Sequence, residues 1–271
     1  MSNYNERARF ALDFAEICYI EHPHMPAFHG PTTFFAKFMA GGKIKEMDRV
    51  TSTPASTPML ILNDGKTILH DSKDILVYAN SFLSEELNLY PSVFKQEIDD
   101  FEKSVHDELG VEARTFAYYY ILPDPQLTRK CAWKNVGYWQ ATSFSWLAWP
   151  IYKSACWLLG VTEETALSSV EKISEIFRTV SQKLQQNGGK FLVGDRFTAA
   201  DLTFATLASL ALGITHENGY GAYFPGLDEM SPTARELVTQ WRQTQAGQHA
   251  LRVYKEYRKK PVKECEPNII F

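Results

Sequence analysis

The chain changes character near residue 82, and that change limits its fold more than any other feature. Before it, short apolar runs alternate with turn residues. Pro58-Met59-Leu60-Ile61-Leu62 reads as a strand and Asn63-Asp64-Gly65 as a hairpin turn. Thr67-Ile68-Leu69 is the returning strand, and Asp71-Ser72 open a helix containing Ile75, Leu76, Tyr78 and Ala79. Residues 4–17 read as an amphipathic helix with Phe10, Phe14 and Ile17 on one face and Arg7, Asp13 and Glu16 elsewhere, and 18–22 as a short strand. The stretch 23–57 is rich in Pro, Gly and Thr, with a helical piece near Phe34 to Met39. Beyond Leu89-Tyr90-Pro91 apolar residues recur almost entirely at helical spacing, as in Phe94, Ile98, Phe101, Val105 and Leu109. Further helical patterns span 126–159, 167–184 (ended by Asn187-Gly188-Gly189), 198–212 and 232–258. The expected class is therefore α/β plus all-α. The expected boundaries are a mixed, thioredoxin-like domain over 1–82, a linker over 83–92, a helical bundle over 93–260 and a tail over 261–271.

Charge and composition narrow the function. The formal net charge is −4 over 271 residues, so no overall basic excess argues for nucleic acid or for an anionic membrane surface. The N-terminus has no apolar h-region. The most membrane-like stretch, Phe144 to Val161, contains Pro150 and Lys153 and reads as a buried helix of a bundle, not a membrane span. The four cysteines are far apart with no C-x-x-C pair, which favours reduced thiols in a cytoplasmic compartment. The seven histidines show no metal-ligand spacing, so no metal is expected.

Three motifs carry chemistry or fold. Thr198-Ala199-Ala200-Asp201 has the form of a capping box, with Phe197 and Leu202 at the staple positions. The run Phe191-Leu192-Val193-Gly194-Asp195-Arg196-Phe197-Thr198-Ala199-Ala200-Asp201-Leu202 resembles a signature of glutathione transferases, in which the aspartate nucleates a buried helix. Thr57-Pro58-Met59-Leu60 followed by Leu69-His70-Asp71-Ser72 resembles the glutathione site of the same superfamily. That resemblance implies a cis-proline at Pro58, main-chain pairing of Met59 with the tripeptide, and a γ-glutamyl end held by Asp71, Ser72 and the helix N-terminus. By residues alone, Asp71-Ser72 also read as a simple helix cap.

The opening Ser2-Asn3-Tyr4-Asn5-Glu6-Arg7-Ala8-Arg9-Phe10-Ala11-Leu12 is similar to that of the serine (tau- and zeta-like) classes, with Asn3 in place of their proline. On this match Ser2 is the catalytic residue, donating a hydrogen bond that favours the glutathione thiolate. Asn5 and Tyr4 could do the same work. Arg114, Phe116 and Tyr119 (within the run Tyr118-Tyr119-Tyr120), near the end of the first long helix, fall where the superfamily lines its pocket for an apolar electrophile; by residues alone they read as ordinary bundle core and surface tyrosine.

The superfamily places a strand before this opening, in the middle of its sheet. Three accounts compete for that missing first strand: a longer parent chain, the β-prone tail Glu266-Pro267-Asn268-Ile269-Ile270-Phe271, or a partner protein covering the gap. The resemblance implies glutathione as co-substrate, a small hydrophobic electrophile and a homodimer. The alternative is a non-catalytic interaction module or subunit of a larger assembly.

Overall fold

A computed structural model describes residues 2–25, 28–39, 57–65, 67–262 and 268–270. The first part runs α1 (Asn3–Phe14), β1 (Tyr19–Glu21), α2 (His29–Met39), β2 (Leu60–Ile61), β3 (Ile68–Leu69) and α3 (Ser72–Asn80). The helical part follows as α4 (Lys95–Asp107), α5 (Leu109–Phe116, continued by a π-helical turn over Ala117–Ile121), α6 (Pro125–Asn135), α7 (Tyr138–Leu158), α8 (Glu163–Gln186), α9 (Ala199–Leu207), α10 (Pro232–Gln243) and α11 (Gln245–Tyr257). The last described element is β4 (Asn268–Ile270).

The sheet order is β1-β4-β2-β3. β4 lies parallel to β1 (Ile20 opposite Ile269) and antiparallel to β2 (Leu60 opposite Ile270). The expected gap beside β1 is therefore filled by the chain's own C-terminal tail, and no open edge remains between β1 and β2 for a partner strand. The tail is thus part of the first domain's sheet. Register explains the fit. Leu60, Leu69 and Ile270 share the face that joins the main core, while Ile61, Ile68 and Ile269 form a smaller cluster with Met59 on the other. Cys18, just before β1, is disulfide-bonded, contrary to the expectation of reduced thiols throughout; Cys131 and Cys156 are free. That expectation came from sequence distance, which a strand pairing can erase.

α1 is not the amphipathic surface helix its pattern suggests. Arg7 and Asp13 are fully buried, and so is Glu6. Each charge has a partner from elsewhere in the chain, as burial demands. Arg7 pairs with Glu102 of α4, whose carboxylate also accepts from Thr203 (2.6 Å) and Tyr90 (2.9 Å). Arg9 bridges Glu6 (2.9 Å) and Glu21 (2.8 Å), and Asp13 pairs with Arg258 beyond α11. These bonds fasten α1 between the sheet and the bundle.

Asp201 of α9 is fully buried and closes the expected capping box by accepting from the Thr198 amide at 3.0 Å. It also accepts from the Leu192 amide at 2.8 Å, and His249 Nε2 lies 3.0 Å away. The 232–258 pattern is two helices, because Thr244 caps α11 by accepting from the Gly247 amide. A β-carbon at Gly247 would lie 2.1 Å from the Trp241 carbonyl oxygen, so only glycine permits that turn.

Candidate functional site

A cavity of 1260 Å³ lies where the start of α1 meets the loop after β1, the end of α5 and the side of α7. Ser2 borders it from the N-cap position of α1, with extended backbone and no capping bond from its hydroxyl. The helix start is held by the neighbouring side chain. Asn3 is buried and donates to the carbonyls of Gly110 (3.0 Å) and Leu207 (3.1 Å). Tyr4 also borders the cavity, but its hydroxyl donates to the His106 carbonyl (3.1 Å), and burial pushes its phenol up to about 12, so it stays protonated. Asn5 borders the cavity with a buried side-chain oxygen that has no partner among the described residues.

The Thr57–Pro58 peptide bond is cis, as the motif implies, and Thr57 reaches the cavity. Met59 does not border it and is 0% exposed, packed with Ile61 and Ile68. Asp71 caps α3 by accepting from the Lys73 amide at 2.6 Å. It stands within electrostatic reach of Tyr4 and Arg7. Ser72 is buried beside it, and its hydroxyl has no partner among the described residues. That is costly unless a ligand or water completes it.

Of the pocket residues expected on α5, Arg114 borders the cavity, while Phe116 and Tyr119 do not. Phe116 is fully buried against Tyr120 and Trp241, and Tyr119 stacks edge-on to Tyr120. Tyr118 takes the cavity position instead, one turn beyond Arg114 and on the same helix face. The Arg114 guanidinium has no carboxylate partner among the described residues, and its Nε is buried without one. Arg9 and Glu21, also at the cavity, neutralise each other. The opposite wall is apolar and comes from α7 through Pro150, Ile151, Leu158 and Leu159. Sequence reasoning missed this wall; its apolar pattern read as core. His24 and His29 sit at the rim, both held below the usual imidazole range by burial.

A four-stranded sheet of mixed direction with a cis-proline before an inner strand, joined to a helical bundle with a buried cap aspartate, defines a two-domain protein with a thioredoxin-like first half. Residues 144–229 match the family model for the glutathione S-transferase, C-terminal domain. Among solved structures the chain is similar to a glutathione transferase of Phanerochaete chrysosporium, at 15% identity and a TM-score of 0.57 over 96% of this chain and 92% of that one. It is similar also to a glutathione S-transferase of Ceriporiopsis subvermispora solved in complex with glutathione, at 15% identity and a TM-score of 0.58 over 97% and 93%. No curated protein matches it. The described residues thus have a glutathione-transferase-like fold, and residues 144–229 match that family's C-terminal domain.

Proposed function

We propose that this chain is a glutathione transferase in which Ser2 holds the thiolate of glutathione for attack on an apolar electrophile. The observation that carries the reading is the convergence on one cavity of Ser2, the residue before the cis-proline, and an apolar wall from α7. The Ser2 hydroxyl would donate to sulfur, favouring the thiolate over a thiol whose ordinary pKa is about 8.5. The unpaired Arg114 guanidinium adds positive potential in the same cavity and acts in the same direction. The thiol proton leaves to solvent, a sulfur–carbon bond forms, and a leaving group departs with its electron pair. Pro150, Ile151, Leu158 and Leu159 would hold the electrophile's apolar body. The Ser72 hydroxyl, unpartnered among the described residues, and the N-terminus of α3 would suit the glutamyl carboxylate and Asp71 its ammonium, although neither residue borders this cavity.

A non-catalytic interaction module is the second reading. It is favoured by the complete burial of Met59, whose main chain would have to be reached by the tripeptide, and by the use of Asp71 as a cap. A glutathione and chloro-nitroaromatic assay on the wild type and Ser2→Ala decides between them. Transferase chemistry requires Ser2→Ala to lower kcat about 10²-fold or more while glutathione-resin retention persists. A wild type with neither turnover nor retention belongs to the second reading.

A further inference from the structure

The outer face of α7 has no counterpart in the catalytic reading. Five of the six tryptophans of the chain (Trp133, Trp139, Trp146, Trp149 and Trp157) lie between residues 125 and 162. That segment contains no aspartate or glutamate but carries Arg129, Lys130, Lys134 and Lys153, in a chain whose net charge is −4. Trp139, Trp146, Lys153 and Trp157 follow one another at spacings of seven, seven and four, which places them within about 40° of one line along the helix. The three tryptophans of that line are 82%, 85% and 85% exposed. Ala141, Phe144 and Ala148 occupy the opposite side and are buried with Met25. The expectation of a buried helix over this stretch thus holds for one face only.

Exposed apolar surface of this extent marks an interaction site. Its chemistry selects the partner. Tryptophan is the residue that settles at the headgroup level of a bilayer, with its ring in the apolar boundary and its N–H in the wet layer. The stripe spans about 27 Å, from the 1.5 Å rise per residue. Lys153 sits within it, its ammonium 4.7 Å from the Trp149 ring centre. Lys153, on the stripe, and Lys134, near the end of α6 where it borders the cavity, are exposed and have no carboxylate partner among the described residues, whereas Lys130 is paired with Glu229. A second copy of the same face would set one acid-free basic segment against another, which like charge opposes. An anionic lipid surface is complementary to both the tryptophans and the lysines.

We propose that the outer face of α7 is a docking surface for an anionic lipid bilayer, on which the protein lies peripherally. No described helix is long and apolar enough to cross a membrane, so docking and not spanning is the mode. The adjacent side of α7, through Leu147, Ile151 and Leu158, lines the cavity. Docking would therefore bring the cavity beside the lipid. The docking face does not depend on what the cavity holds.

The test is flotation of the full chain with vesicles of phosphatidylcholine alone and of phosphatidylcholine with phosphatidylserine. The wild type is expected to float with the phosphatidylserine vesicles and to lose that association as salt is raised. Trp146→Ser with Trp157→Ser should abolish it without changing the melting temperature, since neither side chain packs in the core. Lys134→Glu with Lys153→Glu provides an independent variant and should weaken binding at least about tenfold, from roughly 1 kcal/mol per basic residue near an anionic surface. A wild type that stays unbound on phosphatidylserine vesicles overturns the proposal. So does tryptophan-variant binding equal to wild type, or a solution dimer dissolved by the tryptophan variant in a protein that ignores vesicles.

Discussion

Replacing Ile270 with alanine tests the most distinctive feature of this fold, the tail strand inside the sheet. Ile270 is 2% exposed and shares the core face with Leu60 and Leu69. Truncating a buried isoleucine to alanine costs about 2–5 kcal/mol, the transfer term plus the cavity left behind. Unfolding entropy of about 2.1 cal/mol/K per residue, over 271 residues, comes to about 0.57 kcal/mol/K. The expected fall in melting temperature is then about 4–9 °C. Ile269 serves as an internal control, because it is only half-buried and belongs to the smaller cluster with Met59, Ile61 and Ile68. Its alanine variant should lose less. Circular dichroism melts supply the temperatures, and hydrogen exchange reports on the His22 amide, which donates to the Ile270 carbonyl at 2.8 Å. A drop of less than about 1 °C, with the His22 amide equally protected in both proteins, would refute the placement of the tail between β1 and β2.

Two further outcomes follow from buried polar groups. Asp201→Ala leaves the amides of Leu192 and Thr198 without their acceptor, at about 1–3 kcal/mol each, so chemical denaturation should show a loss of several kcal/mol while Asp201→Asn recovers part of it. His29 is held below its ordinary value of 6.5 by burial, partly offset by a bond with the Met25 backbone. The unfolded chain therefore takes up a proton that the native state resists. The contribution of His29 is complete above about pH 6.5 and is lost as pH falls through its lower folded value. His29→Gln should flatten the decline in stability over that interval, and an unchanged slope in urea titrations at several pH values would argue against the placement of His29.

Local patterns resolve unevenly into structure. The β2–turn–β3–α3 run was legible because a proline-led strand, an Asn-Asp-Gly turn and an Asp-Ser cap are each short-range signals, and they fall where the elements do. The Asp201 cap was legible for the same reason, although its contacts with Leu192 and His249 were not. The candidate site divides along the same line. Of the residues the sequence marked, Ser2 and Arg114 border the cavity, together with Thr57 before the cis-proline; Pro58, Met59, Asp71, Ser72, Phe116 and Tyr119 do not, while Tyr118 of the same tyrosine run does. The acid-free, tryptophan-rich segment was visible in the chain, yet averaging charge over 271 residues concealed it.

By itself, the sequence determined the division into a mixed part and a helical part, the capped starts of α3 and α9 and the end of α8. Periodicity, caps and turns act over a few residues, so the order of the chain carries them. Tertiary structure decided what long-range pairing controls. It inserted residues 268–270 between strands more than two hundred positions away, buried Arg7 and Asp13 by bringing Glu102 and Arg258 to them, and left the tryptophan face of α7 outward. A strand, an ion pair or an exposed face is settled by which distant neighbour satisfies its hydrogen bonds, charge or apolar area, and that neighbour is not written in any local window.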